Sequence, residues 1–495
     1  MGLEIEKEVF SEEDFLAFEV KLERSLQALA DVLRRPGFGQ GSCSLGAELE
    51  LDLIDRSGRP RPINQEVLAE ARDPRVTLEV DRFNLEINSK PVAAAGTPFS
   101  SLARDLDGSL GRLHTAAGKH DARVVAIGIL PTLTEDDLQS SALTDGARYR
   151  ALSAGLRRLR RAPFPFHITG LDSLTLASDD VAYEGANTSF QVHVRVDPSD
   201  FARLHNAAQI ATAPVLAAGC NSPIFLGRRL WDETRVALFR QAVDDRQAGE
   251  EEWRPARVSF GHGWVREDAH ELFAESVTMH EPLLPVVGAE DPLAIAAAGG
   301  LPSLAELRLH HGTVWRWNRA VYDPAAGGHL RIELRALPAG PTVTDMIANA
   351  AFFVGLIHGL APDVPRLLAG LPFRHARRNF YKAACRGLDA ELVWPMGPRG
   401  RLRALSARAL IEDLLPIAEA GLAAVGVEST EAKRWLDVVA QRAATGQTGS
   451  HWQRQAFDAA CLRGNRDEAS RDMLLAYVDA SQGGRGRPVH EWSLP

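Results

Sequence analysis

The stretch Gly46–Asp55, GAELELDLID, alternates acid and leucine with a period of two. Successive side chains of a β-strand point to opposite faces. Glu48, Glu50 and Asp52 therefore share one face, and Leu49, Leu51 and Leu53 the other. The leucine face demands a core beneath it. The acidic face sets a harder condition, because like charges this close raise each other's pKa unless water or a cation lies between them. The pattern admits a solvated strand face or a divalent-cation site, and the second requires more acids elsewhere in the chain.

The rest of the sequence reads as strands and helices to about residue 365. Ser11 followed by Glu12, Glu13 and Asp14 predicts a capped helix that stops before Pro36-Gly37. RVTLEVDRFNLEINSKP (Arg75–Pro91) alternates again, and a helix is expected from about Pro98 to His120. ARVVAIGIL (Ala122–Leu130) predicts a buried strand, and NTSFQVHVRVDPSDF another, with Ser199 capping the helix behind it. HLRIELRALPAGPT (His329–Thr342) predicts a further strand, after which Thr342 and Asp345 open an apolar helix. From about Leu371 strand signals vanish and helical patterns dominate. Alternating rather than continuously apolar strands argue for a largely antiparallel sheet, hence an α+β fold. The expected organisation is a catalytic part over residues 1–365 with a helical C-terminal part, 366–495, packed on it.

Composition removes several function classes. The chain has 495 residues, 45% hydrophobic and 24% charged, which excludes a disordered or collagen-like protein. A net charge of -9 argues against general nucleic-acid affinity, and the short basic run GLRRLRRAP (Gly155–Pro163) reads as a solvated helix end. Cys43, Cys220, Cys385 and Cys461 form no C-x-x-C pair, as expected of buried thiols in a reducing cytoplasm. The longest apolar run, Met346–Pro362, is too short and too interrupted to span a bilayer and predicts a buried helix, so no membrane partner is expected.

The acids of GAELELDLID have company. Glu79 and Glu86 lie seven apart in the second strand region, Gln191 and His193 share a face of the third, and Arg331, Glu333 and Arg335 share a face of the fourth. Magnesium takes oxygen ligands and bridges nucleotide phosphates, while arginines neutralise and orient a transferring phosphoryl group. A sheet face that gathers these residues is what a Mg-ATP cradle needs. No G-x-x-x-x-G-K-[ST] loop and no kinase-type glycine loop is present.

Five motifs in order, GAELELDL, LEVDRFNLEIN, TSFQVHV, NSPIFLGRRLWDETR and LRIELRALPAGPT, resemble the glutamate–cysteine ligase family. The likeness is to the branch of plant-type enzymes and bacterial carboxylate–amine ligases, and it spans Gly46 to Leu360. It implies a glutamine-synthetase-like fold, a curved, largely antiparallel sheet flanked by helices. It also implies ATP with two or three Mg2+ ions, and glutamate with an amine, cysteine first, as substrates. The resemblance makes Glu48 and Glu50 metal ligands, Glu79 and Glu86 ligands of a second ion, and Glu333 a further ligand. Gln191 stands where many members have His and is carried over as a metal ligand, while His193 falls on the substrate side with Asn88 and Arg319. Arg335 and Arg235 become the arginines of phosphate and substrate carboxylate.

The implied reaction forms an acyl phosphate on glutamate, which the amine then displaces to give an amide. Two rivals remain at the level of sequence: a guanidino-type kinase on the same fold, and a catalytically silent binding protein. Neither the amine nor the oligomeric state is written in these motifs. Single residues admit plainer roles. Trp315 and Trp317 suit packing better than base stacking, Cys220 suits burial better than nucleophilic attack, and Thr445–Gln455 suits either a lid or an interhelical loop.

Overall fold

The computed structural model describes residues 5, 7–179, 181–397, 400–483 and 486–495. Its centre is an eight-stranded sheet: β1 (Ser44–Asp55), β2 (Val76–Leu78), β3 (Asn84–Asn88), β4 (Val92–Ala93), β5 (Ala122–Val125), β6 (Phe190–Val196), β7 (Asn318–Asp323) and β8 (His329–Leu334). The strand order is β7-β8-β6-β1-β3-β2, with β4 and β5 also pairing with β1. Every pairing in it is antiparallel. The fold is α+β, as the alternating strands require, and the sheet is strongly curled.

The apolar face of β1 is sealed: Leu49, Leu51 and Leu53 are fully buried. The helices of this part include α1 (Glu12–Leu33), α2 (Pro98–Gly118), α3 (Phe201–Gly219), α4 (Thr234–Ala242) and α5 (Val343–Leu360). Of these, α2, α3 and α5 meet β1, β8 and β6 respectively. The helix α5 is the long apolar run read from the sequence, and Met346, Ile347, Phe352 and Phe353 are fully buried in the core. Each such side chain contributes roughly 1.5–3 kcal/mol of burial. The caps form as expected in α1, where Ser11 and Asp14 complete a capping box, and in α5, where Thr342 Oγ1 accepts the Asp345 N–H at 3.1 Å.

Several elements differ from the sequence reading. The strand expected over Ala122–Leu130 ends at Val125, because the carbonyls beyond it turn to other partners. Tyr477 Oη donates to Ala126 at 2.8 Å, and the Thr188 N–H donates to Gly128 at 3.0 Å. Asp197, not Ser199, caps the turn behind β6: its carboxylate accepts from the Ser199 N–H at 2.9 Å, and Ser199 Oγ also donates to it. The basic run after Gly155 is not all solvated, since Arg160 is 7% exposed and donates to the carbonyls of Pro163 and Asp244. Strand structure also returns after Leu371. Beyond the helix α6 (Phe373–Arg386), β9 (Glu391–Met396) pairs with β10 (Arg401–Ser406) as an antiparallel hairpin. Leu392 and Trp394 of β9 are buried, but β10 is exposed on both faces over most of its length, so its arginine–leucine alternation marks no core.

Of the C-terminal helices, α7 (Ala407–Ala424) and α8 (Ser429–Thr445) pack on α5 and on each other, and α9 (Gly449–Cys461) packs on α10 (Arg466–Gly483). Gly446 ends α8 in the left-handed conformation, φ +76°, which a glycine adopts without strain. Thr445–Gln455 is thus the close of one helix and the capped start of the next, and Gln453 is fully buried with its amide on Asn221. One buried ion pair fastens α8 to α5: Arg442 Nη2 donates to Asp345 Oδ1 at 2.9 Å, with both side chains almost without solvent. Breaking such a pair on one side leaves an uncompensated buried charge. Arg442→Leu is therefore expected to lower unfolding free energy by about 3–5 kcal/mol in urea titration, and adding Asp345→Asn to recover part of that loss. An additive double variant would contradict the coupling.

Candidate active site

Register on the sheet brings the sequence-selected residues into adjacent rows. Directly paired residues of an antiparallel ladder point to the same face. Glu48 pairs with Gln191 on one side and Asn88 on the other, and Glu50 pairs with Glu86. Across the next strands, Glu333 pairs with His193 and with Arg319. The face is not the open one that the alternation suggested. Glu333 and Gln191 are each 1% exposed, His193 6% and Glu86 7%, while Glu48, Glu50 and Glu79 are half-buried.

Two carboxylate-rich clusters result. In the first, Glu48, His193 and Glu333 present ligand atoms all within 4.8 Å of one another. His193 Nε2 stands 3.1 Å from Glu48 and 3.6 Å from Glu333, yet neither ring nitrogen forms a hydrogen bond. In the second, Glu50, Glu79 and Glu86 converge within the same 4.8 Å. Buried polar atoms ordinarily have partners, so an imidazole without a bond between two carboxylates is a site of unmet coordination. Three oxygens, or two oxygens and a nitrogen, at this spacing fit a small divalent cation.

The electrostatics separate the clusters. Burial works against the charge of Glu48, but the adjacent His193 imidazole carries it down to about 2. Glu333 is likewise buried, and Arg319 followed by Arg335 holds it well below the carboxylate range. In the second cluster burial wins. Burial and the neighbouring acids Glu48 and Glu50 push Glu86 up to about 8, and burial with Glu86 and Glu50 raises Glu79 well above its ordinary value. Glu50 is raised by burial, against the pull of Arg335 and Arg235. Like charges sharing a low-dielectric site cannot all ionise, and a dication reverses that balance.

Arginines and amides frame the acids. Arg319 grips Glu333 as a two-pronged fork, Nε to Oε2 at 2.6 Å and Nη2 to Oε1 at 2.9 Å. Arg335 Nη1 donates to Gln191 Oε1 at 2.6 Å and reaches Glu333 at 3.4 Å. Gln191 passes the interaction on, its Nε2 donating to Glu50 Oε1 at 2.9 Å. Its amide oxygen is thus engaged with Arg335, and the nitrogen ligand facing Glu48 and Glu333 belongs to His193. Asn88 donates to Glu86 at 2.7 Å. Arg235, 3% exposed, bonds Glu233 at 3.0 Å and the Ala336 carbonyl at 3.1 Å, and is no surface pair. Gly128 makes room for it, since a Cβ there would stand 3.1 Å from Arg235 Cδ. Trp315 and Trp317 are buried edge-on against Phe239.

Three further residues belong to this surface; Glu184 and Ser189 escaped the sequence reading, whereas Asp52 was already placed on the acidic face of the first strand. Glu184, in a single helical turn, is pushed up to about 8 by burial and by Glu50. The Ser189 N–H donates to Glu50 Oε2 at 2.6 Å. Asp52, fully buried, accepts from Asn84 at 2.9 Å and is raised well above the carboxylate range by burial. Glu184 lies in a connection without periodicity, so only the folded chain brings it to Glu50, whereas Ser189 stands just ahead of β6, two residues before Gln191.

Among known structures the fold is similar to that of a glutamate–cysteine ligase from Francisella tularensis in complex with AMP. The two share 12% identity with a TM-score of 0.54, over 92% of this chain and 91% of that one. A bifunctional glutathione synthetase from Pasteurella multocida aligns at 9% identity and a TM-score of 0.49, over 94% of this chain and 54% of that one. No curated protein sequence matches significantly. The architecture is glutamine-synthetase-like. Residues 44–476 match the model of glutamate–cysteine ligase family 2, and the chain belongs to that family. By class it is an ATP-dependent ligase that forms amide bonds.

The raised acids give a pH signature. In the unfolded chain Glu86 titrates near 4.5, and in the fold near 8. The metal-free fold therefore holds extra protons, and the stability it draws from them, full below about pH 4.5, is lost as pH rises through about 8. Mg2+ is expected to raise the Tm more at about pH 8.5 than at about pH 6, and to release protons at the lower pH. Thermal scans and calorimetry in buffers of different ionisation enthalpy read both effects. An equal Tm shift at the two pH values, without proton release, would count against metal binding by Glu50, Glu79 and Glu86.

Proposed function

We propose that this protein is a magnesium-dependent carboxylate–amine ligase. In this reading ATP activates the γ-carboxylate of glutamate as an acyl phosphate, and an amino compound, cysteine first, captures it as a γ-glutamyl amide. The observation that carries the reading is the pair of ligand clusters, Glu48/His193/Glu333 and Glu50/Glu79/Glu86, side by side on one curled sheet face and flanked by arginines. The chemistry needs no protein nucleophile. The substrate carboxylate supplies the attacking oxygen, so the protein's work is positioning and charge stabilisation.

Magnesium held by these clusters would screen the repulsion between the two anionic substrates and polarise the γ-phosphate. Arg335, held by Gln191 and Glu333, presents a planar fork toward the same face and would neutralise charge that develops on the transferring phosphoryl oxygens. Arg235, fixed by Glu233 and the Ala336 carbonyl, supplies a second positive charge beside Glu50. Gln191 acts as a spacer that keeps Arg335 and Glu50 apart but aligned. Burial of Gln191, His193, Glu86 and Glu333 keeps much of this face from water, which would otherwise hydrolyse an acyl phosphate.

The direct test is a screen of amine acceptors in which phosphate release is followed with ATP and glutamate present. Hydroxylamine in place of the amine should trap a glutamyl hydroxamate. A guanidino-type kinase gives none, and that outcome would sink the ligase reading. Glu48→Gln and Glu333→Gln are each expected to abolish turnover with unchanged circular dichroism, since each removes a negative charge at a cation site; normal rates at saturating Mg2+ would take them out of it. Arg335→Lys keeps the charge but loses the fork. It is expected to lower kcat by on the order of a hundredfold, with a smaller change in KM for ATP. A raised KM with kcat preserved would make Arg335 a nucleotide anchor and pass the role to Arg235.

A further inference from the structure

A cavity of about 390 Å³ lies away from the carboxylate clusters, between the C-terminal end of α4, the segment around Trp253–His262, and α6. Its floor is apolar: Val258 and Phe260 are each 1% exposed. Phe260 is stacked on Phe380 with centroids 4.9 Å apart. Its rim carries two of the molecule's exposed large apolar side chains, Trp253 at 73% and Met279 at 38%. Exposed aromatic surface gathered around a concavity is a recognised mark of a binding site.

The charges there are unbalanced. Arg246 is committed to Asp244, and Arg254 to Asp245 and Glu250. Arg240 and Arg377 also line the cavity, and among the described residues neither has an acidic partner. Arg240 instead lies over the Tyr381 ring, 5.8 Å from its centroid. The opposing acids of the lining, Glu251 and Glu252, are exposed. Behind the floor, Arg316 is 2% exposed and leaves Nε and Nη2 without a partner, although Nη1 bonds Glu275. It is bridged to the lining at Ser259. Two arginines free of carboxylates, a buried third behind them, and aromatic rings around an apolar floor match an anion that carries a flat ring.

We propose that this cavity binds small organic anions with a planar ring. Arg240 and Arg377 take the carboxylate or phosphate, and Trp253 and Tyr381 take the ring over the apolar floor. The assignment stands on this cavity alone and does not depend on the reaction proposed above.

Benzoate, phenyl phosphate and neutral benzyl alcohol titrated calorimetrically into the full chain test it. At least one anion should bind with a dissociation constant on the order of 1 mM, and benzyl alcohol at least about tenfold more weakly. The stronger of the two anions tells carboxylate from phosphate recognition. The double variant Arg240→Glu with Arg377→Glu should weaken the anion at least about tenfold, and Arg240→Gln with Arg377→Gln gives the same reading should charge reversal disturb folding. Trp253→Ala should weaken it severalfold. Undiminished affinity in the folded double variants, equal binding of benzyl alcohol, or no saturable binding of either anion overturns the proposal.

Discussion

Repulsion among carboxylates withdrawn from water governs this molecule. Six acids, Glu48, Glu50, Glu79, Glu86, Glu184 and Glu333, crowd one face of a curled sheet. A face of that kind collapses into protonated acids unless positive charge is supplied. The fold supplies some of it unevenly. Arg319, Arg335 and the His193 imidazole keep Glu333 and Glu48 ionised, while burial and neighbouring acids drive Glu86 and Glu79 toward the neutral form, in Glu79 against the pull of Arg148. One cluster thus stays anionic, and the other is held toward the neutral form.

The scaffold around this face is built to withstand that tension. The leucines of β1 anchor its far side in a core shared with α2, α3 and α5, so the acids cannot escape by a register slip. A shift of one residue would turn the leucines to the polar side and the acids into the core. The C-terminal helices hold α5 from outside through the Asp345–Arg442 pair, and Tyr477 reaches from α10 to the Ala126 carbonyl beside β5. The family match running to residue 476 agrees with this: the C-terminal helices are part of the same structural whole, although the motifs legible in the sequence stop near Leu360.

Period-two patterns made the sheet readable, because each strand has one buried and one polar face. They placed Glu48, Glu50, Glu86, Gln191, His193 and Glu333 on strands, where the structure finds them. The pattern could not tell that the polar face curls inward, since curvature arises from the pairing of strands distant in sequence. Nor could it rank Gln191 against His193. Both lie on the same face two residues apart, and only the positions of Arg335 and Glu50 decide which side chain is already occupied. Glu184 was invisible for a related reason: a connection has no period, and its place is fixed by tertiary contacts alone. The β9–β10 hairpin was missed because only Leu392 and Trp394 of β9 share a buried face, while β10 is exposed along almost its whole length.

The fork from Arg319 to Glu333 has a consequence of its own. Both oxygens of Glu333 are occupied by the same guanidinium. A cation that takes one of them competes with that guanidinium for the lone pairs, so loading the first cluster and loosening Arg319 are one event. An arginine released in this way would be a positive group beside the clusters, able to meet an incoming anion. In the reading proposed above, cation affinity at Glu333 and anion affinity at Arg319 would then be linked by mass action, each raised by the other's presence.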